Sequence, residues 1–152
     1  MLEPRFRHLL TFTAHIETPQ LDGNTPLGGR KIIMVTGGPV EGDRVRGKIL
    51  PGGGDWALTR ADGSLALDVR LMLETDDNER IYMTYRGVRH GPENVMKRLN
   101  DGETVDPAEY YFRIAPLFET ASEKYAWLNG IVAVGIGERL PIGPRYTVHE
   151  VL

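Results

Sequence analysis

A carboxylate and a guanidinium stand two residues apart at Asp68 and Arg70, inside the most regular alternating segment of the chain. Residues two apart in a β-strand project from the same face. An arginine can hold a carboxylate or an enolate, and a neighbouring aspartate can orient it. This pair therefore predicts a site in which Arg70 stabilises negative charge and Asp68 transfers a proton.

The orientation of this pair depends on the apolar ladder on the opposite face, which runs from Leu65 to Leu73. If the ladder fills the interior of the protein, Asp68 and Arg70 point outward as a solvated face or an oligomer interface. If the ladder packs on a helix or a second subunit, they point into a lumen. We expect the lumen-facing orientation.

Further candidates surround this pair. Asp55 and Trp56 end a glycine-rich run and are predicted to form the rim of a pocket, with Asp55 as a second proton-transfer group. Arg113 interrupts an apolar strand, where a cation must be paired or exposed. It is expected to stabilise negative charge together with Arg70. The remaining predicted ligand-binding residues are Tyr85, Glu119 and Trp127. The two tryptophans either wall the pocket or plug the interior.

Motifs for other chemistries are missing. No glycine run is followed by the Lys-Ser/Thr pair of a P-loop or leads from a strand into a helix, so nucleotide binding is not predicted. There is no serine-nucleophile elbow. The chain has no cysteine, and its four histidines are scattered, with His8 and His15 on opposite faces if their strand is regular. We predict no metal and no cofactor, which leaves acid–base and electrostatic catalysis.

Composition indicates a single globular domain over residues 1–152, with 41% hydrophobic and 26% charged residues. The net charge of −3 argues against a nucleic-acid partner. The basic segment Arg86, Arg89, His90, Lys97 and Arg98 is interpreted as a charged helix face rather than as a site for an acidic partner. No segment approaches the roughly 20 apolar residues of a membrane helix, and the N-terminus does not resemble a signal peptide. We predict a cytoplasmic protein without a membrane partner.

Most segments alternate with the period of two that is typical of strands, and they are separated by turn residues such as Asp62-Gly63. Glu93 to Asn100 is the one predicted helix, with Pro92 before it and Gly102 after it. About nine short strands without βαβ alternation favour an antiparallel sheet, which closes to remove its edges. The fold class is therefore mostly β, a single antiparallel β-barrel with one short helix. A β-sandwich is the alternative.

A set of short motifs extends over nearly the whole chain. They include Pro51-Gly-Gly-x-Asp-Trp56, Leu67-Asp-x-Arg70, Pro116-x-Phe-Glu-Thr120 and Tyr125-x-Trp-Leu-Asn129. Together they resemble the bacterial and fungal uncharacterised protein family UPF0311, the domain of unknown function DUF3237. The resemblance implies a calycin-like or allene-oxide-cyclase-like antiparallel barrel, and no established activity. Asn78 stands where a glycine is expected in the Asp77-Asn78 turn, and asparagine tolerates the left-handed conformation.

The leading functional hypothesis is a small-molecule-binding barrel that acts as a cofactor-free isomerase, cyclase or lyase. Its substrate is expected to be a small, partly apolar organic acid, ketone or polyketide-like molecule. The alternatives are a non-catalytic carrier or sensor of small hydrophobic ligands, and a structural barrel that forms homo-oligomers. An enzyme needs a carboxylate with a strongly perturbed pKa in a cleft, a carrier needs a roomy apolar cavity, and a structural barrel needs a packed interior.

Overall fold

The computed structural model describes all 152 residues and contains twelve β-strands and one α-helix. The strands are β1 (Phe6–Thr13), β2 (His15–Ile16), β3 (Leu21–Thr25), β4 (Gly28–Gly37), β5 (Pro39–Glu41), β6 (Gly47–Ile49), β7 (Gly53–Thr59), β8 (Leu65–Thr75), β9 (Arg80–His90), β10 (Tyr111–Glu119), β11 (Ala133–Leu140) and β12 (Gly143–Val151). The helix α1 is Glu93–Asn100, and two short 3₁₀ turns cover Pro107–Glu109 and Ala126–Gly130.

The strands form a closed antiparallel barrel of eight long strands, which confirms the predicted fold class. Three of the eight are bent and count as two strands each, namely β1 with β2, β4 with β5, and β6 with β7. Each long strand pairs with the next along the chain, and pairing between β1 and β12 closes the ring. Strand β3 lies outside the ring and pairs only with β4. Closure pairs strand edges that would otherwise be exposed.

Glycine permits the bends in these strands. Gly38 has a φ of +133° at the junction of β4 and β5, and a Cβ there would lie 1.8 Å from the Thr13 carbonyl oxygen. Because of this bend, one chain segment pairs with β2 on one side of the junction and with β1 and β6 on the other. Asn78 also takes a positive φ of 65°, as the sequence predicted for this turn.

The apolar ladder of β8 fills the barrel. Leu67, Val69, Leu71 and Leu73 are all at most 5% exposed and belong to one core cluster with residues of every other long strand. Successive side chains of a strand point to opposite faces, so the residues between them lie on the outside of the barrel. This parity decides where the predicted Asp68–Arg70 pair lies.

The predicted helix is confirmed at both ends, Glu93 and Asn100. It packs over one end of the barrel through Val95 and Leu99, which are buried. The helix has eight residues, and no helix in the structure has the length and apolarity needed to cross a membrane.

The observed boundaries of strands and turns differ most from the predicted ones where the sequence pattern is weak. The segment Leu21–Thr25 carries no apolar alternation and was not predicted, yet its backbone pairs with β4 as β3. The alternation of Val45, Gly47 and Ile49 predicts a strand over Arg44 to Leu50, and the observed strand is shorter, Gly47–Ile49. The sequence also predicts a helical turn over Ser122 to Leu128, and the structure has a 3₁₀ turn that begins at Ala126.

Candidate active site

A cavity of about 280 Å³ lies inside the barrel, at the end covered by α1. Thirteen of the 21 residues that line it are hydrophobic. The apolar wall is formed chiefly by Ile33, Leu65, Leu67, Val69, Met96, Leu99 and Phe112. The groups of interest for chemistry are Asp55, Tyr85, Arg89, Arg139 and Tyr146. A small concave cavity lined mainly by hydrophobic residues, with a few convergent polar groups, is the usual form of a small-molecule site.

Asp55 projects into this cavity from β7, between inward-facing residues of the same strand. Its Oδ1 accepts a hydrogen bond of 3.0 Å from the backbone N–H of Asp68. Burial raises the pKa of the Asp55 carboxyl to about 6, and the Asp68 hydrogen bond opposes that rise only in part. A carboxyl group with such a pKa is present in both protonation states near neutral pH, as a general acid–base requires.

Arg89 reaches the cavity from β9 and lies 5.7 Å from the centre of the Phe112 ring. Its Nε is buried and has no hydrogen-bond partner. Burial, and after it the like charge of Arg139, lowers the pKa of Arg89 below its usual value. Because arginine remains protonated in proteins, Arg89 is a partly buried cation whose Nε lacks a hydrogen-bond partner.

Arg139 enters from β11, which pairs with the edge of β10 opposite to β9. Its Nη1 donates to the Leu140 carbonyl, and its backbone N–H donates to the Tyr110 hydroxyl at 2.9 Å. Burial lowers its pKa as well. Neither Arg89 nor Arg139 has a carboxylate within the 4.0 Å of an ion pair, although eleven such pairs occur elsewhere in the protein.

Tyr85 and Tyr146 form the floor of the cavity, with ring centres 5.3 Å apart. Burial raises the pKa of both phenols well above the usual value. The buried Tyr146 hydroxyl has no partner at the distance and angle of a hydrogen bond. The nearby Tyr85 hydroxyl still lowers the pKa of Tyr146 somewhat, against the larger effect of burial. Both phenols therefore remain protonated and can donate hydrogen bonds to a ligand.

Together these groups can transfer a proton and stabilise the negative charge that the transfer produces. Asp55 can take a proton from a ligand and return it at another atom. Arg89, Arg139 and Tyr146 can stabilise the negative charge that develops on a ligand oxygen meanwhile, and the apolar wall strengthens those interactions by excluding water.

The expectation that Asp68 and Arg70 face the interior is wrong. Arg70 is exposed and lies 5.8 Å from the ring centre of Trp56, which is on the outer face of β7. The Asp68 carboxylate is 3.6 Å from the exposed Arg86. The reason is parity, since the leucine ladder between these residues fills the core.

Asp55 and Trp56 therefore do not form one rim. Adjacent strand residues point to opposite faces, so Asp55 lies deeper than predicted, in the wall of the cavity, whereas Trp56 lies outside. Of the predicted site residues, Asp55 and Tyr85 are the two that line the cavity.

The other predicted ligand-binding residues lie away from the cavity. Arg113 is on the outer face of β10, where its guanidinium lies 4.6 Å from the Tyr111 ring centre. Glu119 is exposed at the end of the same strand. Trp127 is half-buried on a 3₁₀ turn, with Arg44 at 4.8 Å from its ring centre. None of the three lines the cavity.

Sequence reasoning missed Arg89, Arg139 and Tyr146. The sequence interpretation places Arg89 on a charged helix face, but β9 continues to His90 and keeps its alternation. Arg89 is therefore four residues from Tyr85 on the same inward face. Extending the period-two pattern of Ile81 to Tyr85 past Arg86 would have identified it. No comparable signal marked Arg139, because both faces of β11 carry apolar residues.

No group of three or more His, Asp or Glu side chains converges to form a metal site. Within the cavity, Asp55 is the one carboxylate and no histidine is present. The predicted absence of a metal stays a prediction.

The chain matches a family model described as "Protein of unknown function (DUF3237)" over residues 4–151. A UPF0311 protein of Rhodopseudomonas palustris is 36% identical over 146 residues, which cover 96% of this chain and 95% of that protein. The crystal structure of a β-barrel-like protein from Acinetobacter baumannii superposes with a TM-score of 0.85 at 38% identity, covering 100% of this chain and 98% of that one.

A more distant relative has a named activity. The hydroalkoxylation enzyme phnH of Penicillium herquei is 29% identical over 107 residues, which are 70% of this chain and 56% of that enzyme. The family-model match covers almost the entire barrel, including every strand and the residues of the cavity. The chain therefore belongs to the DUF3237 (UPF0311) family.

Proposed function

We propose that this protein is a cofactor-free enzyme that cyclises or isomerises a small, partly apolar carbonyl compound by acid–base chemistry. The observation that carries the proposal is the Asp55 carboxyl, with a pKa raised to about 6, in a cavity of the barrel that also holds two guanidinium groups. Catalytic carboxyl groups typically combine such a pKa with a specific charge environment in a cleft.

The name of the fungal relative suggests the reaction type. Hydroalkoxylation adds an O–H group across a carbon–carbon double bond, so the intramolecular reaction is an isomerisation that needs no redox cofactor. In our proposal the Asp55 carboxylate takes the proton of a substrate hydroxyl, whose oxygen attacks a double bond conjugated to a ketone. The C–O bond forms as the C=C π bond breaks, and the electron pair moves to the carbonyl oxygen.

The enolate that results is stabilised by Arg89 and Arg139, because both guanidinium groups reach the cavity without a carboxylate partner. Asp55 then returns its proton to the α-carbon, and the enolate collapses to the ketone. The proton moves from oxygen to carbon, and no co-reactant is consumed.

The test uses ortho-crotonylphenol, a compact phenol with an α,β-unsaturated ketone side chain, which cyclises to a methyl-substituted chromanone. The enzyme is expected to accelerate cyclisation and to form one enantiomer in excess, measured by chiral chromatography. Asp55→Asn should lower kcat/KM by roughly 10²–10⁴-fold, since it removes the proton-transfer group. Racemic product at the uncatalysed rate with the parent protein, or undiminished activity in Asp55→Asn, would contradict the proposal.

The matched control is Asp68→Asn, which makes the same change on the outer face of the barrel, next to Arg86. It should retain the parent rate and the same enantiomeric excess. Asp68 supplies its backbone N–H to Asp55, and that contact survives the substitution.

The second candidate is a carrier of small hydrophobic ligands, and the apolar majority of the cavity wall favours it. A carrier would bind the phenol without accelerating its cyclisation, and Asp55→Asn would not weaken that binding. The same assay, combined with a binding measurement, therefore separates the two functions.

A further inference from the structure

The charges in the cavity are unbalanced. Two guanidinium groups, of Arg89 and Arg139, line the same wall as one carboxyl group, Asp55, and burial favours the neutral form of that carboxyl. Lys31 also lines the cavity, but its Nζ lies 3.9 Å from the Asp22 carboxylate on β3. Buried cations without counter-ions are costly, and proteins normally pair them.

The polar groups that lack a hydrogen-bond partner are also donors, which an anion would satisfy. The Arg89 Nε and the Tyr146 hydroxyl are both buried and have no protein acceptor at hydrogen-bonding geometry. Arginine has donors only, and a protonated phenol has a donor to offer. The cavity therefore lacks a group that accepts several hydrogen bonds and carries negative charge.

We propose that the cavity binds its substrate as a monovalent oxyanion, a phenolate or enolate with a compact apolar body, with the charged oxygen facing Arg89, Arg139 and Tyr146. This inference rests on the proposed function and names the form that the substrate takes in the site once its hydroxyl proton has moved to Asp55. The single negative charge offsets one of the two guanidinium groups. The apolar body matches the wall formed by Leu67, Val69 and Phe112.

A more highly charged oxyanion fits this wall less well. A phosphate group is strongly hydrated, and thirteen of the 21 residues that line the cavity are hydrophobic. The transfer of an ion from water into such surroundings is expensive unless every oxygen is satisfied. A delocalised phenolate or enolate concentrates its acceptor capacity at one end and leaves the rest of the molecule for apolar contact.

Charged and titratable groups face the cavity from five strands, and they govern how binding depends on pH. They are Lys31 of β4, Asp55 of β7, Tyr85 and Arg89 of β9, Arg139 of β11, and Tyr146 of β12. Among them, Asp55 is the group that titrates near neutral pH. An anion beside it favours its protonated form, so anion binding should be accompanied by proton uptake.

The experiment uses para-nitrophenol, whose phenolate absorbs visible light, and para-nitroanisole, which has nearly the same shape and cannot ionise. Binding to the parent protein should increase the phenolate fraction at a fixed pH, visible as a rise in absorbance. Para-nitroanisole should bind at least roughly tenfold more weakly by a competition assay, because it forms no charge-assisted hydrogen bond. Equal affinities for the two probes, or binding that leaves the phenol neutral, would overturn the proposal.

Variants of the two arginines test whether these residues cause the preference for the phenolate. Arg89→Gln and Arg139→Gln should each weaken para-nitrophenolate binding by roughly tenfold or more while leaving para-nitroanisole binding nearly unchanged. Each variant should remain folded, since it removes a half-buried cation that lacks an ion-pair partner. The matched control Arg70→Gln, on the outer face, should bind both probes like the parent. Loss of phenolate preference in Arg70→Gln, or its retention in both inner variants, would contradict the assignment.

Asp55→Asn separates this inference from the proposed function. It should lower kcat/KM for cyclisation by roughly 10²–10⁴-fold but bind para-nitrophenolate as tightly as the parent or more tightly, because a negative charge near the anion is removed. If phenolate binding holds and cyclisation fails in the parent, the protein is an anion carrier and only the proposed function is wrong. If cyclisation occurs without any preference for the phenolate, only the oxyanion inference is wrong.

Discussion

The two halves of the barrel interior are built from the same strands but are packed differently. On β8, Leu71 and Leu73 are 1% exposed and pack with Ile81, Met83 and other residues into a solid core. Earlier on the same strand, Leu65, Leu67 and Val69 line the cavity. The strand alternation is identical in the two halves, so the difference comes from the groups that face these side chains across the barrel.

The hollow half also contains the inward-facing charges that have no ion-pair partner, Asp55, Arg89 and Arg139, which all line the cavity. The packed half buries Glu150, whose carboxylate forms ion pairs with Arg7 and Arg44. A buried carboxyl with a raised pKa and unpaired cations reduce stability. The packed half therefore has to supply the free energy that keeps the hollow half folded, an arrangement in which stability and activity occupy different ends of one barrel.

The largest expected effect is the loss of stability when a side chain of the packed half is truncated. Leu73→Ala should destabilise the protein by about 4 kcal/mol, whereas Leu67→Ala, the same change on the same face of β8, should cost only about 2 kcal/mol. Leu67 already borders a void and loses fewer contacts on truncation. Urea denaturation of the two variants measures the difference, and equal costs would show that the cavity is filled or collapsed in solution.

The second effect comes from the charge in the hollow half. The folded-state pKa of Asp55 is raised from 3.8 to about 6, so ionisation opposes folding. The stability contribution of its neutral form is complete below about pH 4, declines through pH 6 and is lost above it. Asp55→Asn should therefore stabilise the protein by up to about 3 kcal/mol near pH 8.

The pH dependence of Asp55→Asn provides its own control. Near pH 4 the parent and the variant should have similar unfolding free energies, because Asp55 is already protonated there. A stabilisation that is independent of pH would mean that Asp55 does not titrate with a raised pKa. Denaturant unfolding at the two pH values distinguishes these results.

A smaller effect on stability is expected when side-chain volume is added, and it should differ between the cavity and the packed half. Ala57→Val adds two methyl groups beside the cavity and should change stability by less than about 1 kcal/mol, because unoccupied volume accepts them. Ala133→Val makes the same change in the packed half, where Ala133 is 1% exposed, and should cost about 1–3 kcal/mol. Ala57→Val should also weaken para-nitrophenol binding, which Ala133→Val should leave intact.

The smallest effect is expected outside the barrel. The side chains of the Asp68–Arg86 pair are 35% and 81% exposed, and such pairs contribute about 0–1 kcal/mol. Asp68→Ala and Arg70→Ala should therefore melt close to the parent protein. A loss of several kcal/mol in either variant would mean that the substituted side chain is buried, which contradicts the outward orientation of Asp68 and Arg70 on β8.

Sequence alone determined the elements and their closure into a barrel. The alternation from Leu65 to Leu73, the helix signals around Glu93 and Asn100, and the turn residues act locally, so they can be detected in a short window of sequence. The alternation also showed that Asp68 and Arg70 share a face. Asp55 and Tyr85 were identified as candidates by residue type and by position beside a turn or within a strand.

Tertiary structure decided which face is the inside and where the interior is left empty. Asp55 and Arg89 are 34 residues apart in the chain and share a cavity only because β7, β8 and β9 are adjacent in the ring. Alternation gives two equivalent faces, and only the packing of all eight strands chooses between them. A carboxyl group has a raised pKa when apolar side chains from several strands surround it, so this property of Asp55 arises from the assembled barrel.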